Sequence, residues 1–174
     1  MTFEIHSDIT NRSMTIASRA MRRVLRRKRN IIWAIYGWSV FFINTLLLIP
    51  FGGEPFTLDA GTVISLLVEV MLLSALLFQD RINGMIACKN TLAGTKNYQI
   101  MFGEESYTVV TEVTTSTFRY ELIDAMAESQ DYMILLMKKR FAQPLDKRTL
   151  TGGTVEEFKR FLEEKTGKTF RRVK

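Results

Sequence analysis

One carboxylate, Glu69, interrupts an apolar run from Gly61 to Phe78, and a second apolar run, Ile31 to Ile49, carries the amide of Asn44. An ionised side chain at the centre of a bilayer costs at least ~2.5 kcal/mol, so in a membrane Glu69 has to be protonated, hydrogen-bonded or open to a polar cavity. Thr62, Ser65 and Glu69 share one helix face by their three- and four-residue spacing, and Gly37 and Asn44, seven apart, share another. The two faces are expected to meet, with Asn44 as the first candidate partner of Glu69 and Ser65 beside them. A lone carboxyl of this kind either serves transport or ties helices together, across the pair or to its copy in a homo-oligomer. Two helices cannot enclose a pore, so conduction would require oligomerisation.

The cations form two groups. Eight basic residues precede Ile31, among them Arg22, Arg23, Arg26 and Arg27, and only Glu4 and Asp8 oppose them. Lys and Arg beside a span hold that end in the cytoplasm. The same charges can meet anionic lipid headgroups, at roughly 1 kcal/mol for each basic residue near the surface. In the second group, Lys138, Lys139 and Arg140 are separated from Lys147 and Arg148 by one short strand. These five can converge on one rim, a basic edge for headgroups or for an acidic protein partner, or else stand as solvated turn charges, as most such runs do.

Other chemistry is missing. His6 has no nucleophile near it in sequence, and the single Cys88 excludes an internal disulfide, leaving it an acylation site or an inert thiol. No phosphate loop or dinucleotide fingerprint occurs, and Gly152, Gly153 and Thr154 read as a helix start. The adjacent acids Glu104 and Glu105, or Glu163 and Glu164, suit solvated turns and helix surfaces. The expectation is no enzyme, no cofactor and no metal. No nucleic-acid partner is expected; that reading ranks a poor third, because the basic run abuts an apolar one and lacks interleaved aromatics.

The elements that hold these residues follow from periodicity. Ile31 to Ile49 is uncharged and reaches about 28 Å as a helix, close to the hydrocarbon thickness of a bilayer. With Gly61 to Phe78 it predicts a transmembrane helical hairpin over 31–78. The connecting segment Pro50 to Ala60 has Glu54 and Asp59 but no Lys or Arg, and Arg81 and Lys89 follow the second span. Both termini are therefore expected in the cytoplasm, with Trp33, Phe51 and Phe56 as interface anchors. The basic region is too far from Met1, and the apolar run too long, for a cleaved signal peptide. Residues 1–30 read as a basic amphipathic juxtamembrane segment: a short strand, then a helix capped by Ser7 or Asp8. Residues 79–94 read as a helical stalk.

From Thr95 the period changes to two. Strands are expected at Tyr98–Phe102, Tyr107–Val113, Phe118–Leu122, Ala125–Glu128, Tyr132–Met137 and Phe141–Leu145, with Tyr132–Met137 central as the most apolar. A capping box, Thr154 with Glu157, starts a last helix with Val155, Phe158, Phe161 and Leu162 on its apolar face, and Gly167 ends it. The fold class is thus an α+β membrane protein: a two-helix transmembrane hairpin plus a small antiparallel β-meander, 95–174, capped by a C-terminal helix.

This order of parts resembles the YcxB-like family of bacterial membrane proteins. The resemblance is carried by Phe118 to Ile123, by Glu128 to Leu136 with Asp131 and Tyr132, by the Lys147 and Arg148 pair and by Glu156 to Leu162. Tyr120 stands where the family has tryptophan, and Pro144 replaces a proline directly before the Lys-Arg pair. The resemblance implies a pleckstrin-homology-like (PH-like) cytoplasmic domain and carries over no catalytic residue. Two function classes follow. One is a multi-pass protein of the cell membrane with a non-catalytic binding or regulatory domain, its partners the bilayer and an unidentified protein. The other is an immunity or transport-related protein guarding against a membrane-active toxin.

Overall fold

The computed structural model describes residues 2–49, 59–138 and 140–173. The first strand, β1 (Phe3–Asp8), alternates Phe3, Ile5 and Ser7 inward with Glu4, His6 and Asp8 outward. It is an integral strand, longer than the short N-terminal strand expected, and it pairs antiparallel with β2 (Asn97–Phe102) from Phe3 opposite Phe102 to Asp8 opposite Asn97. With β3 (Ser106–Thr111) and β4 (Thr115–Arg119) these make a four-stranded sheet in the order β1-β2-β3-β4.

The meander therefore divides into two sheets. After a 3-10 turn at Tyr120–Leu122, where a third strand was expected to continue, β5 (Ile123–Glu128), β6 (Tyr132–Met137) and β7 (Phe141–Asp146) build the second sheet. Its order is β7-β6-β5-β8, and β8 (Phe170–Arg172), which no sequence period announces, pairs parallel with β5. The sheets are joined along β1: the Asp146 amide donates to Ser7 Oγ at 2.8 Å, and Glu4 and Thr151 exchange backbone bonds of 3.1 and 2.9 Å. Gly152, at φ 89°, lets the chain pass so close to Thr2 that a Cβ would lie 2.3 Å from its carbonyl oxygen.

Every residue of β6 is buried, and its two faces serve different cores. Met133, Leu135 and Met137 join the core between the sheets with Phe3, Ile5, Phe102, Tyr107, Phe158 and Leu162. Tyr132, Ile134 and Leu136 turn the other way, toward Ala17, Ala20 and Met21. The last helix, α4 (Val155–Thr166), closes the first core; it starts in the expected Thr154–Glu157 capping box and ends at Gly167 with φ 66°. Phe158 meets Phe102 edge-on at 4.7 Å between ring centroids.

Between β1 and β2 the chain leaves the sheet and returns. Helix α1 (Asn11–Ala20) starts at Thr10, whose side chain forms a reciprocal cap with Ser13; Ser7 and Asp8, the expected caps, are still in β1. A π-helical turn, Met21–Leu25, and a break at Arg26 lead into α2 (Arg27–Leu48), and Asp59 caps α3 (Ala60–Lys89). Both α2 and α3 are long and apolar enough to cross a membrane. The 30 residues of α3 span about 45 Å, more than a hydrocarbon core needs, and its second half lies against α1. The helical continuation expected after Phe78 is present. Residues 1–30, however, are built into the body: β1 is a strand of the first sheet, and Ala17, Ala20 and Met21 pack with Tyr132, Ile134 and Leu136 of β6.

Candidate functional site

A groove of about 910 Å³ opens where α1, α3 and the start of β7 meet. One wall follows a helical stripe through α1, the π turn and α2: Ser18, Arg22, Arg26, Asn30 and Trp33. A second wall, Gln79, Asn83 and Ala87 of α3 and Thr91 just beyond its end, repeats every fourth residue; Arg140, Phe141 and Ala142 supply the third. Arg26, Arg29 and Arg140 also line an adjoining groove with Arg27, Lys28 and Lys138. No acidic residue lines either groove among the described residues.

Arg22 is fixed from behind. Its Nε donates to Asp80 Oδ1 at 2.6 Å and its Nη2 to Asp80 Oδ2, while Arg19 Nε stands 3.5 Å from the same carboxylate. Hydrogen bonding to Asp80 holds the Arg22 guanidinium above its usual range, against the opposing effect of burial. Asp80 is 9% exposed and sits four residues before Gly84, where a Cβ would come within 2.5 Å of the Thr15 amide. Bare backbone at Gly84 and a bidentate ion pair one turn earlier thus clamp α1 to α3. Cys88, a turn further on, is half-buried with Sγ 3.7 Å from the Ile9 carbonyl oxygen.

The second basic group does not form one rim. Lys138 and Arg140 precede β7 and Lys147 and Arg148 follow its end, so six residues of strand, about 20 Å, separate them. Lys139 lies outside the described residues. Lys147 Nζ donates to Glu128 Oε1 at 2.6 Å and to the Ser129 carbonyl at 2.7 Å, with Lys159 on the other Glu128 oxygen at 3.0 Å. Burial works to raise the Glu128 carboxyl, but the two lysines together hold it below its usual range. Arg148 makes a two-point contact with Asp146, and that hydrogen bonding is the main reason the Asp146 carboxyl is held low. Lys147 and Arg148 are therefore paired within the chain, Arg148 at the surface, whereas Lys138 and Arg140 join Arg22, Arg26 and Arg27 at the grooves. Arg23 is exposed and lines neither.

Between α2 and α3, Glu69 meets Thr45, not Asn44: the Thr45 hydroxyl donates to Glu69 Oε1 and also lies 2.9 Å from the Phe41 carbonyl oxygen. Its single proton serves one of them at a time. Asn44 Nδ2 is buried with no hydrogen-bond partner among the described residues, and Ser65 is half-buried on the Glu69 face. Counting rise along the helices placed Asn44 and Glu69 at one depth but left out azimuth, which advances by about 100° per residue and distinguishes Asn44 from Thr45. The run Gly37, Phe41, Thr45 at four-residue spacing was the available signal. Phe51, Phe56 and Glu54 lie outside the described residues; Trp33 is 64% exposed.

Fold and site together define a class: an α+β protein whose first sheet is interrupted, between β1 and β2, by a long apolar helical pair. Residues 102–162 match the model of the YcxB-like protein family, and this stretch, from the end of β2 to the last buried residue of α4, is YcxB-like. The match covers about a third of the chain and excludes β1 and the apolar helices. No curated protein and no solved structure matches the chain. Among the described residues no group of three or more His, Cys, Asp and Glu is placed to hold a metal ion.

Proposed function

We propose that this protein is a multi-pass protein of the cell membrane whose two-sheet body is a non-catalytic, PH-like binding or regulatory module on the cytoplasmic side. The observation that carries this is the state of α2 and α3: none of the apolar window of α3 and only 6% of that of α2 is buried by the rest of the chain. A core helix of a water-soluble domain would be covered, and here Ile32, Leu47, Leu67 and Met71 face outward. Two sheets of mainly antiparallel strands, closed by a C-terminal helix, support the PH-like reading of the body. The clamp at Asp80 and Gly84 would hold that body rigidly at the bilayer, as a module reporting on the membrane requires.

The transport or immunity reading needs Glu69 to act on something outside the chain. Its engagement by Thr45 favours the tie between helices, so the binding module is preferred. Topology is the deciding test. Fusions of a reporter active only outside the cytoplasm should be silent after Lys174 and active within the segment 52–54, and the full chain should resist alkaline extraction from membranes. Activity at the C-terminal fusion would overturn the proposal.

A further inference from the structure

The positive-inside rule accounts for Arg26 to Arg29 beside Ile31, but it gives no reason for Arg140. That residue belongs to the β6–β7 turn, far along the chain, and the fold carries it back to the same groove as Arg29. Neither side chain forms an ion pair or hydrogen bond among the described residues. Arg22, in contrast, spends its charge on Asp80. The groove thus brings together Arg29 and Arg140, two cations from distant segments.

We propose that this groove binds the phosphate headgroup of an anionic phospholipid from the cytoplasmic leaflet, with Arg29 and Arg140 as the phosphate-binding residues. The inference rests on the membrane reading above. Depth selects a lipid: Arg29 and Asn30 directly precede the apolar run that starts at Ile31, and Gln79 directly follows Phe78, so the groove lies at headgroup level. Its walls match the ligand in kind. Guanidinium groups suit phosphate oxygens, Asn30, Gln79 and Asn83 offer neutral donors to a polar headgroup, and Trp33 and Phe141 give apolar surface for the glycerol and upper acyl chain. A groove with no acidic lining leaves the bound charge unopposed.

The test uses the full chain, purified in neutral detergent and delipidated, with phosphatidylglycerol and phosphatidylcholine titrated separately under native mass spectrometry. Wild type should bind one phosphatidylglycerol at least tenfold more tightly than phosphatidylcholine. Arg29→Gln/Arg140→Gln should weaken this about thirtyfold, two contacts at the strength of a basic residue near an anionic surface. Arg119→Gln/Arg160→Gln, which removes equal charge from β4 and α4, should change it less than twofold. If the first variant does not fold, Arg29→Lys/Arg140→Lys is compared instead: it keeps the charge but loses the fork, and should weaken binding measurably. Equal loss in the two Gln variants, no preference for phosphatidylglycerol, or binding of sn-glycerol 3-phosphate as tight as the lipid each overturns the site. A chain extracted from membranes by alkali would remove the membrane reading itself, whereas a chain retained there without lipid preference removes only this proposal.

Discussion

In the two-sheet body the large side chains point inward: Phe3, Phe102, Tyr107 and Phe158 are almost wholly buried. Along α2 and α3 the arrangement is reversed, with Trp33, Phe42 and Leu67 outward and Gly37, Thr45 and Glu69 turned toward the partner helix. The body is held by apolar burial, worth about 1.5–3 kcal/mol for each large side chain in water. Between the two helices Gly37 lets the backbones approach and a hydroxyl–carboxyl bond ties Thr45 to Glu69, the kind of contact on which the proposed membrane setting would make the pair depend. Mutations of like size should therefore have unlike consequences in the two regions.

The largest difference concerns β1. It is remote in sequence from the strands it completes, yet it supplies Phe3 and Ile5 to the core and bonds β2 along its whole length. A fragment of residues 95–174 lacks it, and should fail to unfold cooperatively by circular dichroism, while Phe3→Ala in the full chain should cost about 3–5 kcal/mol. A fragment that melts like the intact body would break the comparison, since β1 would then be an accessory.

Two glycines sharpen it further. A Cβ on Gly84 meets the Thr15 backbone at 2.5 Å, whereas one on Gly37 meets the end of the Leu76 side chain at 2.7 Å. Backbone cannot yield and a leucine can rotate. Gly84→Ala should cost about 1–3 kcal/mol and loosen α1 from α3, seen as faster hydrogen exchange over 11–20, with Gly37→Ala close to neutral. Equal effects would mean that the clamp is no stiffer than the helical pair.

The smallest effect is expected at the polar tie. Thr45→Val should destabilise the helical pair by about 0.6 kcal/mol, the mean for such bonds between membrane helices, and Glu69→Gln by no more, since an amide can still accept from Thr45. Thermal unfolding in detergent reads both. A Glu69→Gln chain that folds normally but loses a transport or protection phenotype would show that the carboxylate does more than join helices.

Much of this protein is written locally. The length and composition of 31–49 and 61–78, the capping box at Thr154, the glycine at 167 and the apolar run at Tyr132 each report on their immediate neighbours, through helix rise, first-turn amides or side-chain alternation. What the chain could not report locally was pairing at a distance. That β1 completes the sheet begun at Asn97, that Ala17 and Ala20 of α1 pack with β6, and that Lys147 is spent on Glu128 all depend on pairing between separate elements. The basic residues show this most clearly. Their clustering was legible as charge, but which of them converge was decided by the strand length that separates Arg140 from Arg148 and by the packing that returns Arg140 to Arg29. Periodicity places a side chain on a face of its own element; only tertiary packing sets what that face meets.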